Sequence, residues 1–498
     1  MQVIKFEELA GYLASGKDFI IQLGEQIGIG SSHSLIHKNG LLGVIDCGMA
    51  FEGTGINKIT TFPVGDLLRG IRIDFIILTH AHFDHSGWIL PLILAHPESR
   101  AFFSKKTLEL LKVILEDTLT IQKKTARAAY DAGLEVPAPL FTKQDVAEFL
   151  ARAEDGYYEV FDSDNEDVWI TFEDWPGWEF GFTFSGHMVG AFISLIKSPD
   201  GDGLVFSGDL SGHKQETTDG VKTISKSFLE MAKFRDCKRI ILVVEATYGN
   251  RNRAEALEVS DARLKAVLEE TESHGGQALF LVFQVNRGPN IVKKLIRLGF
   301  KVFVAGGVRK TLTIEVGTEL VEKWLADKAV MFIENGPNYT SMLCAAARGE
   351  YGFRPIVTSS ATLDQGAGVE FAIQMLPIKE NVLISTGHVF DGSAMQEFFQ
   401  VKDQPIGPGK TIILDRMIDN KLVKTPVNVR CQGEHFDYSA HSDQSELVTF
   451  VTGLKPDMLF VNHCVEDGFN GLKSALQEKL GGKCPPVERL SHLHMAEI

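Results

Sequence analysis

Leu78-Thr-His-Ala-His-Phe-Asp-His-Ser-Gly87 places three histidines and an aspartate within six residues, directly after an apolar run. That run, Ile73-Asp-Phe-Ile-Ile-Leu78, predicts a short strand buried on both faces. While the chain stays extended, His80 and His82 leave it on the same side. Asp84 and His85 are consecutive and point different ways, so they can address a second point as the loop turns toward Gly87. The segment therefore offers two ligands to each of two adjacent cations. Imidazole with carboxylate suits zinc, with iron or manganese as substitutes.

The same device recurs downstream. Trp178-Glu-Phe-Gly-Phe-Thr-Phe184 alternates as a strand and feeds Ser185-Gly-His187, with Gly186 and Gly190 expected to let backbone approach an ion. The strand Gly203–Ser207 ends in Gly208-Asp209, a carboxylate whose two oxygens can each face one metal. Asp457–Asn462 is another buried strand, and it runs into His463. Glu245 closes the apolar strand that begins at Arg239, and a carboxylate there is costly to bury without a partner. Near the N-terminus, Gly28–His37 and Leu41–Met49 read as antiparallel strands joined at Lys38-Asn-Gly40. Asp46, at the end of the second, is either a turn aspartate or a group that orients a ligand histidine from behind.

Between these strands, Trp88–Ala95 and residues 104–135 read as helices, the second carrying an apolar stripe through Leu108, Leu111, Leu115 and Leu119. Thr142 is the expected N-cap of a third. From about 250 to 430 the texture changes to helices alternating with parallel-type strands, a doubly wound α/β module in its own right.

A length of 498 residues predicts two or three domains, and 44% hydrophobic with 23% charged residues is ordinary for a globular protein. No apolar run is long enough to span a bilayer, and the N-terminus lacks the pattern of a secretory signal. Six scattered cysteines without a C-x-x-C pair argue against a disulfide framework and for a reducing cytoplasm. The net charge of −15 opposes nucleic-acid binding on average. One basic island runs against it: Arg287, Lys293, Lys294, Arg297, Lys301, Arg309 and Lys310, with no acid between the first and last.

Taken in order, these pieces resemble the metallo-β-lactamase fold and, within it, the β-CASP branch of nucleic-acid-processing hydrolases. H-x-H-x-D-H at 80–85 is common to the whole superfamily. The branch is indicated by Glu245 before Ala-Thr-Tyr-Gly249, by Tyr438-Ser-Ala-His-Ser-Asp443, and by a histidine 22 positions after His441, at His463. The resemblance implies an αββα sandwich in two segments, 1–248 and 431–498, with a β-CASP domain inserted at 249–430. It implies two zinc ions per chain, one held by His80, His82 and His187, the other by Asp84, His85 and His463, with Asp209 bridging and Asp46 beneath. It implies a phosphodiesterase acting on single-stranded nucleic acid, RNA rather than DNA, leaving 5′-phosphate and 3′-hydroxyl ends. Hydroxide generated between the zinc ions would attack phosphorus, with His441 as general acid and Glu245 as its partner.

Ser439 and His388 are the neighbours expected to contact phosphate, alongside Arg287, Lys293 and Lys294; His213 and the other remaining histidines are read as structural. The competing expectations are a DNA nuclease of the same branch, a thioester or lactam hydrolase on the same fold, and a scaffold subunit without activity. Homodimerisation is common among compact relatives of the branch, and no membrane contact is expected.

Overall fold

The computed structural model describes residues 2–498 except 6–7, 25–28, 53–58, 62–67, 69, 132, 163, 165–166, 222–235, 335, 365, 403–409 and 419–420. Gly28, the expected start of the first hairpin strand, lies outside the described residues. The hairpin itself pairs Ser34–Lys38 with Leu41–Ile45. Its turn uses Asn39 and Gly40 at φ of 44° and 81°, the left-handed pair that a two-residue hairpin loop requires.

Two sheets form a sandwich. The first has eight strands and runs, by neighbours, Gln2–Val3, His494–Glu497, Phe19–Gln22, Ser34–Lys38, Leu41–Ile45, Phe75–Ile77, Arg100–Ser104 and Glu159–Phe161. The second has seven and runs Val168–Thr171, Glu179–Phe184, Phe192–Lys197, Asp202–Phe206, Arg239–Glu245, Met458–Asn462 and Val487–Arg489. Between them lies an aromatic core that includes Phe75, Phe102, Phe180, Phe182, Phe192 and Phe460, all essentially buried. The outer face of the first sheet packs on Ile89–Ala95, Lys105–Asp131 and Lys143–Glu154. The outer face of the second packs on Gln444–Leu454 and Glu466–Leu480. The result is an α/β, αββα layering, with each helix laying one apolar face on a sheet.

Local signals set the helix ends. Thr142 and Asp145 form a reciprocal capping box, and so do Asp443 and Glu446. The second box matters for function, because it fixes the chain immediately after His441.

A third sheet of six parallel strands stands apart: Val330–Ile333, Val302–Ala305, Ile356–Thr358, Ala278–Leu281, Val382–Ser385 and Gln432–His435. The last of these pairs with Val382–Ser385, so this sheet runs beyond the boundary expected at residue 430. Pairing partners, not composition, decide that boundary. The helix expected from Asn290 begins at Arg287, one turn earlier, because Pro289 falls in the first turn, where its missing N–H costs nothing.

One ionic cluster joins the two sandwich sheets. Lys38, with its side chain 2% exposed, donates to Asp18 (2.9 Å), Asp200 (2.8 Å) and Asp202 (2.7 Å). Lys38 ends a strand of the first sheet and Asp202 starts one of the second. Lys38→Met leaves three carboxylates facing one another without their shared cation. The expected loss is about 2–3 kcal/mol in a urea titration, below the full cost of breaking a buried pair because Asp200 is partly in water.

Candidate metal centre

The strands named above end at one edge of the sandwich, and their loops converge there. Phe75–Ile77 leads to His80, His82, Asp84 and His85; Glu179–Phe184 leads to His187; Asp202–Phe206 leads to Asp209; Met458–Asn462 leads to His463. Two backbone positions there are unusual for side-chain-bearing residues: Asp46 has φ of 60° and His463 has φ of 48°. Gly48 shows why the first loop needs a glycine. A Cβ there would stand 1.5 Å from the carbonyl oxygen of Asp84. Gly186 and Gly190 also permit close approach, but to protein: their Cβ atoms would meet Ser211 O at 2.4 Å and Thr107 N at 2.7 Å. The expectation that they make room for an ion is thereby corrected.

Asp209, 2% exposed, is ringed by imidazoles. Its Oδ2 lies 3.5 Å from both His80 Nε2 and His187 Nε2, and 3.9 Å from His441 Nε2. Its Oδ1 lies 3.3 Å from His85 Nε2 and 3.6 Å from His463 Nδ1. His82 Nδ1 completes the first group, 3.1 Å from the Nε2 atoms of His80 and His187. Asp84 Oδ2 completes the second, 3.4 Å from His463 Nε2.

These spacings fit metal coordination. Ligand atoms about 2.0–2.1 Å from a tetrahedral zinc stand roughly 3.3 Å from one another. His80, His82, His187 and Asp209 form one such group, and Asp84, His85 and His463 form another. Tautomers agree. His85 Nδ1 donates to Asp46 Oδ2 at 2.7 Å, and His187 Nδ1 donates to Ala440 O at 3.3 Å, which leaves Nε2 of each with a lone pair facing inward. Asp209 Oδ1 and His85 Nε2 are buried without a hydrogen-bond partner, as expected of atoms reserved for a cation.

Burial holds the imidazoles of His80 and His187 well below their ordinary pKa and that of His82 at about 4, so these three are neutral and free to ligate. Burial alone would raise Asp209, but His463, His85 and the other surrounding histidines outweigh it and keep the carboxyl ionised.

Asp46 sits beneath this arrangement. Its Oδ1 accepts from Thr79 N (2.7 Å) and Thr79 Oγ1 (2.9 Å), while Oδ2 takes His85. Of the two readings left open for Asp46, the orienting one matches these contacts.

His441 falls in a third group, with Asp209, Glu245 and His463, whose ligand-type atoms also lie within 4.8 Å of one another. Its Nδ1 donates to Glu245 Oε1 at 2.9 Å. Glu245 is fully buried, and it also accepts from Leu210 N (2.9 Å) and Thr247 N (3.0 Å), so its burial cost is met by hydrogen bonds. Burial lowers the pKa of His441, but Glu245 and then Asp209 outweigh it, and the net shift is upward.

Ser439 and His388 are placed differently. Ser439 Oγ accepts from His441 N at 3.2 Å and shapes the loop, whereas His388 is exposed and packs on Phe390 with ring centroids 4.8 Å apart. The basic island is largely neutralised, which corrects its reading as an open phosphate-binding stripe. Lys294 is buried and pairs with Asp261 (2.7 Å) and Glu216 (3.3 Å); Arg297 pairs with the same two acids. Arg309 pairs with Glu334 and Lys310 with Asp117. Arg287 Nε, like Arg309 Nε, is buried without a hydrogen-bond partner. Lys293 is half-buried on the same helix.

Sequence reasoning missed three contributors. His213 lies between Glu446 (3.2 Å), Arg253 (2.6 Å) and the carbonyl of Ser439 (2.9 Å). Arg253 also donates to the carbonyl of His441 at 3.2 Å, so the two residues brace the His441 loop. Asn286 donates through Nδ2 to the carbonyl of His187 at 3.0 Å, tying the six-stranded module to the metal centre. No spacing pattern links any of these to the ligands; a histidine among polar residues, as at 213, carries no such signal.

Comparison with known proteins matches this geometry. The model for the metallo-beta-lactamase superfamily matches residues 29–248, and that for a Zn-dependent metallo-hydrolase RNA specificity domain matches 426–485. The chain belongs to the metallo-β-lactamase superfamily. Its relatives place it in the β-CASP branch. It is 23% identical to Endoribonuclease YSH1 of Eremothecium gossypii over 91% of this chain and 56% of that one. It is 23% identical to Transcription termination factor FttA of Methanosarcina mazei over 88% of this chain and 65% of that one. An RNase J-like protein of Methanocaldococcus jannaschii is also 23% identical, over 88% of this chain and 90% of its own. The chain thus spans only about half to two thirds of the first two relatives. A crystal structure of a protein of unknown function from Enterococcus faecalis V583 shares the fold, with TM-score 0.53 and 14% identity over 97% of this chain and all of that one. Among the described residues, no helix is long and apolar enough to cross a membrane.

Asp46→Ala removes the acceptor that fixes the His85 ring. Metal affinity is expected to fall by about 10- to 100-fold in a chelator-competition titration, with the far-UV circular dichroism spectrum unchanged.

Proposed function

We propose that this β-CASP protein is a metal-dependent ribonuclease that cleaves single-stranded RNA by hydrolysis and holds two zinc ions per chain. The observation that carries the reading is the His441–Glu245 pair facing the metal ligands through Asp209. A small-molecule hydrolase on this fold has no evident use for that pair. In support, His441 lies within the region matched by the RNA specificity model, and relatives carry the printed names endoribonuclease and RNase J-like protein.

In this reading His80, His82 and His187 would hold one zinc and Asp84, His85 and His463 the other, with Asp209 shared between the two groups. Bound there, the ions would supply a water of lowered pKa and Lewis-acid stabilisation of a phosphoryl oxygen. The remaining work falls to the chain. Glu245 binds Nδ1–H of His441 and leaves Nε2 to carry the transferable proton, directed at the site. That proton goes to the departing 3′-oxygen, so the cut leaves a 3′-hydroxyl and a 5′-phosphate. Nothing in this scheme uses the ribose 2′-hydroxyl, so preference for RNA over DNA must come from contacts outside the reacting atoms.

We further read residues 249–430, extended to His435 by the last strand of its sheet, as an inserted domain that covers the metal edge of a sandwich built from the flanking segments. The six cysteines are free thiols, in keeping with a cytoplasmic setting.

End-labelled RNA and DNA oligonucleotides are the test. RNA is expected to be cut to 5′-phosphate products, DNA more slowly, and neither by Asp209→Ala or with excess chelator. Hydrolysis of a thioester or a lactam with no cleavage of either nucleic acid would reverse the assignment. His441→Ala is expected to lower kcat by roughly 10²–10⁴-fold with metal content unchanged. That loss should shrink on a substrate with sulfur at the bridging 3′ position, because a thiolate leaves without a proton.

A further inference from the structure

Three exposed aromatic rings stand in continuous contact on the six-stranded module. Phe283 and Phe390 are 41% and 43% exposed, with ring centroids 5.9 Å apart; His388 packs against Phe390 at 4.8 Å. They follow the C-terminal ends of two adjacent parallel strands, Ala278–Leu281 and Val382–Ser385, the edge at which open α/β sheets bind ligands. Three residues beyond Phe283, Asn286 reaches the carbonyl of His187, so the strand end that carries Phe283 is tied to the loop of a candidate ligand.

An arginine paired with Asp437 at 2.6 Å continues the line inward. The Arg251 guanidinium lies 3.8 Å over the Tyr248 ring, and Tyr248 meets His441 edge-on at 5.9 Å. Arg287 begins the helix after Phe283, and its Nε is buried without a hydrogen-bond partner. Exposed rings followed within four residues by an arginine match a polymer with flat apolar faces and an anionic backbone. A protein partner fits less well. Two rings rimmed by arginine fall far short of the roughly 800 Å² per side that stable protein interfaces bury.

We propose that Phe283 and Phe390, with His388 behind them, form a stacking platform for an unpaired base of single-stranded nucleic acid, whose phosphate meets Arg287. The inference rests on the nuclease reading above and adds to it a fixed subsite on the inserted module. Aromatic stacking is tolerant of base identity, so the platform grips without selecting sequence.

Fluorescence anisotropy of the full chain, with chelator present to prevent cleavage, tests the proposal. The probes are 5′-fluorescein oligo(A) RNA and an abasic ribose-phosphate oligomer of equal length. Wild type is expected to bind oligo(A) more tightly than the abasic probe. Phe390→Ala should weaken oligo(A) binding by about 5- to 100-fold while leaving the abasic probe within twofold, and Phe390→Trp should restore it. Phe283→Ala should act in the same direction. If Phe390→Ala changes neither probe, or weakens both equally, the platform is refuted while the nuclease assignment, read from cleavage of labelled RNA, stands. If wild type neither binds oligo(A) nor cleaves RNA, both readings fall together.

Discussion

A single buried carboxylate surrounded by five imidazoles constrains everything else in this molecule. Asp209 lies 3.3–3.9 Å from ring nitrogens that arrive on four different segments. The neutral imidazoles of His80, His82 and His187 and the carboxylate of Asp209 turn lone pairs toward one another there, which is unfavourable unless a cation stands between them. Folding must hold those groups together against their own repulsion and desolvation. The aromatic layer between the two sheets provides the rigidity, since large rings such as Phe102, Phe180 and Phe182 pack there without exposure. Metal binding and stability are therefore linked, because a cation that binds only the assembled site favours the folded chain.

The arrangement also explains where strain appears. Left-handed backbone at Asp46 and His463 aims one side chain under His85 and the other between Asp84 and Asp209. Neither strand could deliver its side chain there by continuing straight. The six-stranded module is tied to the same point. Asn286 holds the carbonyl of His187, Asn290 exchanges hydrogen bonds with Thr217, and Val285 packs with Leu110 and Met188. These contacts couple the position of the six-stranded module to the loop that carries His187.

The convergence of these histidines and aspartates could be anticipated for a simple reason: each group follows a strand, and apolar strands announce themselves by period and length. Asn39-Gly40 and Thr142 were equally plain, because turn and cap chemistry is local. What stayed hidden was pairing at a distance. Lys294 and Arg297 looked like a free basic stripe because the acids that neutralise them, Glu216 and Asp261, lie on other segments. His213 looked ordinary because its partners, Arg253, Glu446 and Ser439, come from three separate places in the chain. Gln432–His435 likewise carries no mark in the sequence of which sheet it will join.

The acidic balance of the chain then becomes intelligible. A net charge of −15 repels a polyanion at long range, but salt confines that repulsion to about 8–10 Å. At shorter range the relevant charges are those still available in the cleft. Most of the basic island is spent on internal ion pairs, and Arg287, with an unpartnered Nε, is not. In the nuclease reading proposed above, affinity for nucleic acid would come from few contacts that are individually strong: cations at Asp209, one guanidinium, and flat aromatic surfaces that do not depend on charge. A protein built this way would hold its substrate at the reacting phosphate and beside it, with little hold on polymer further away.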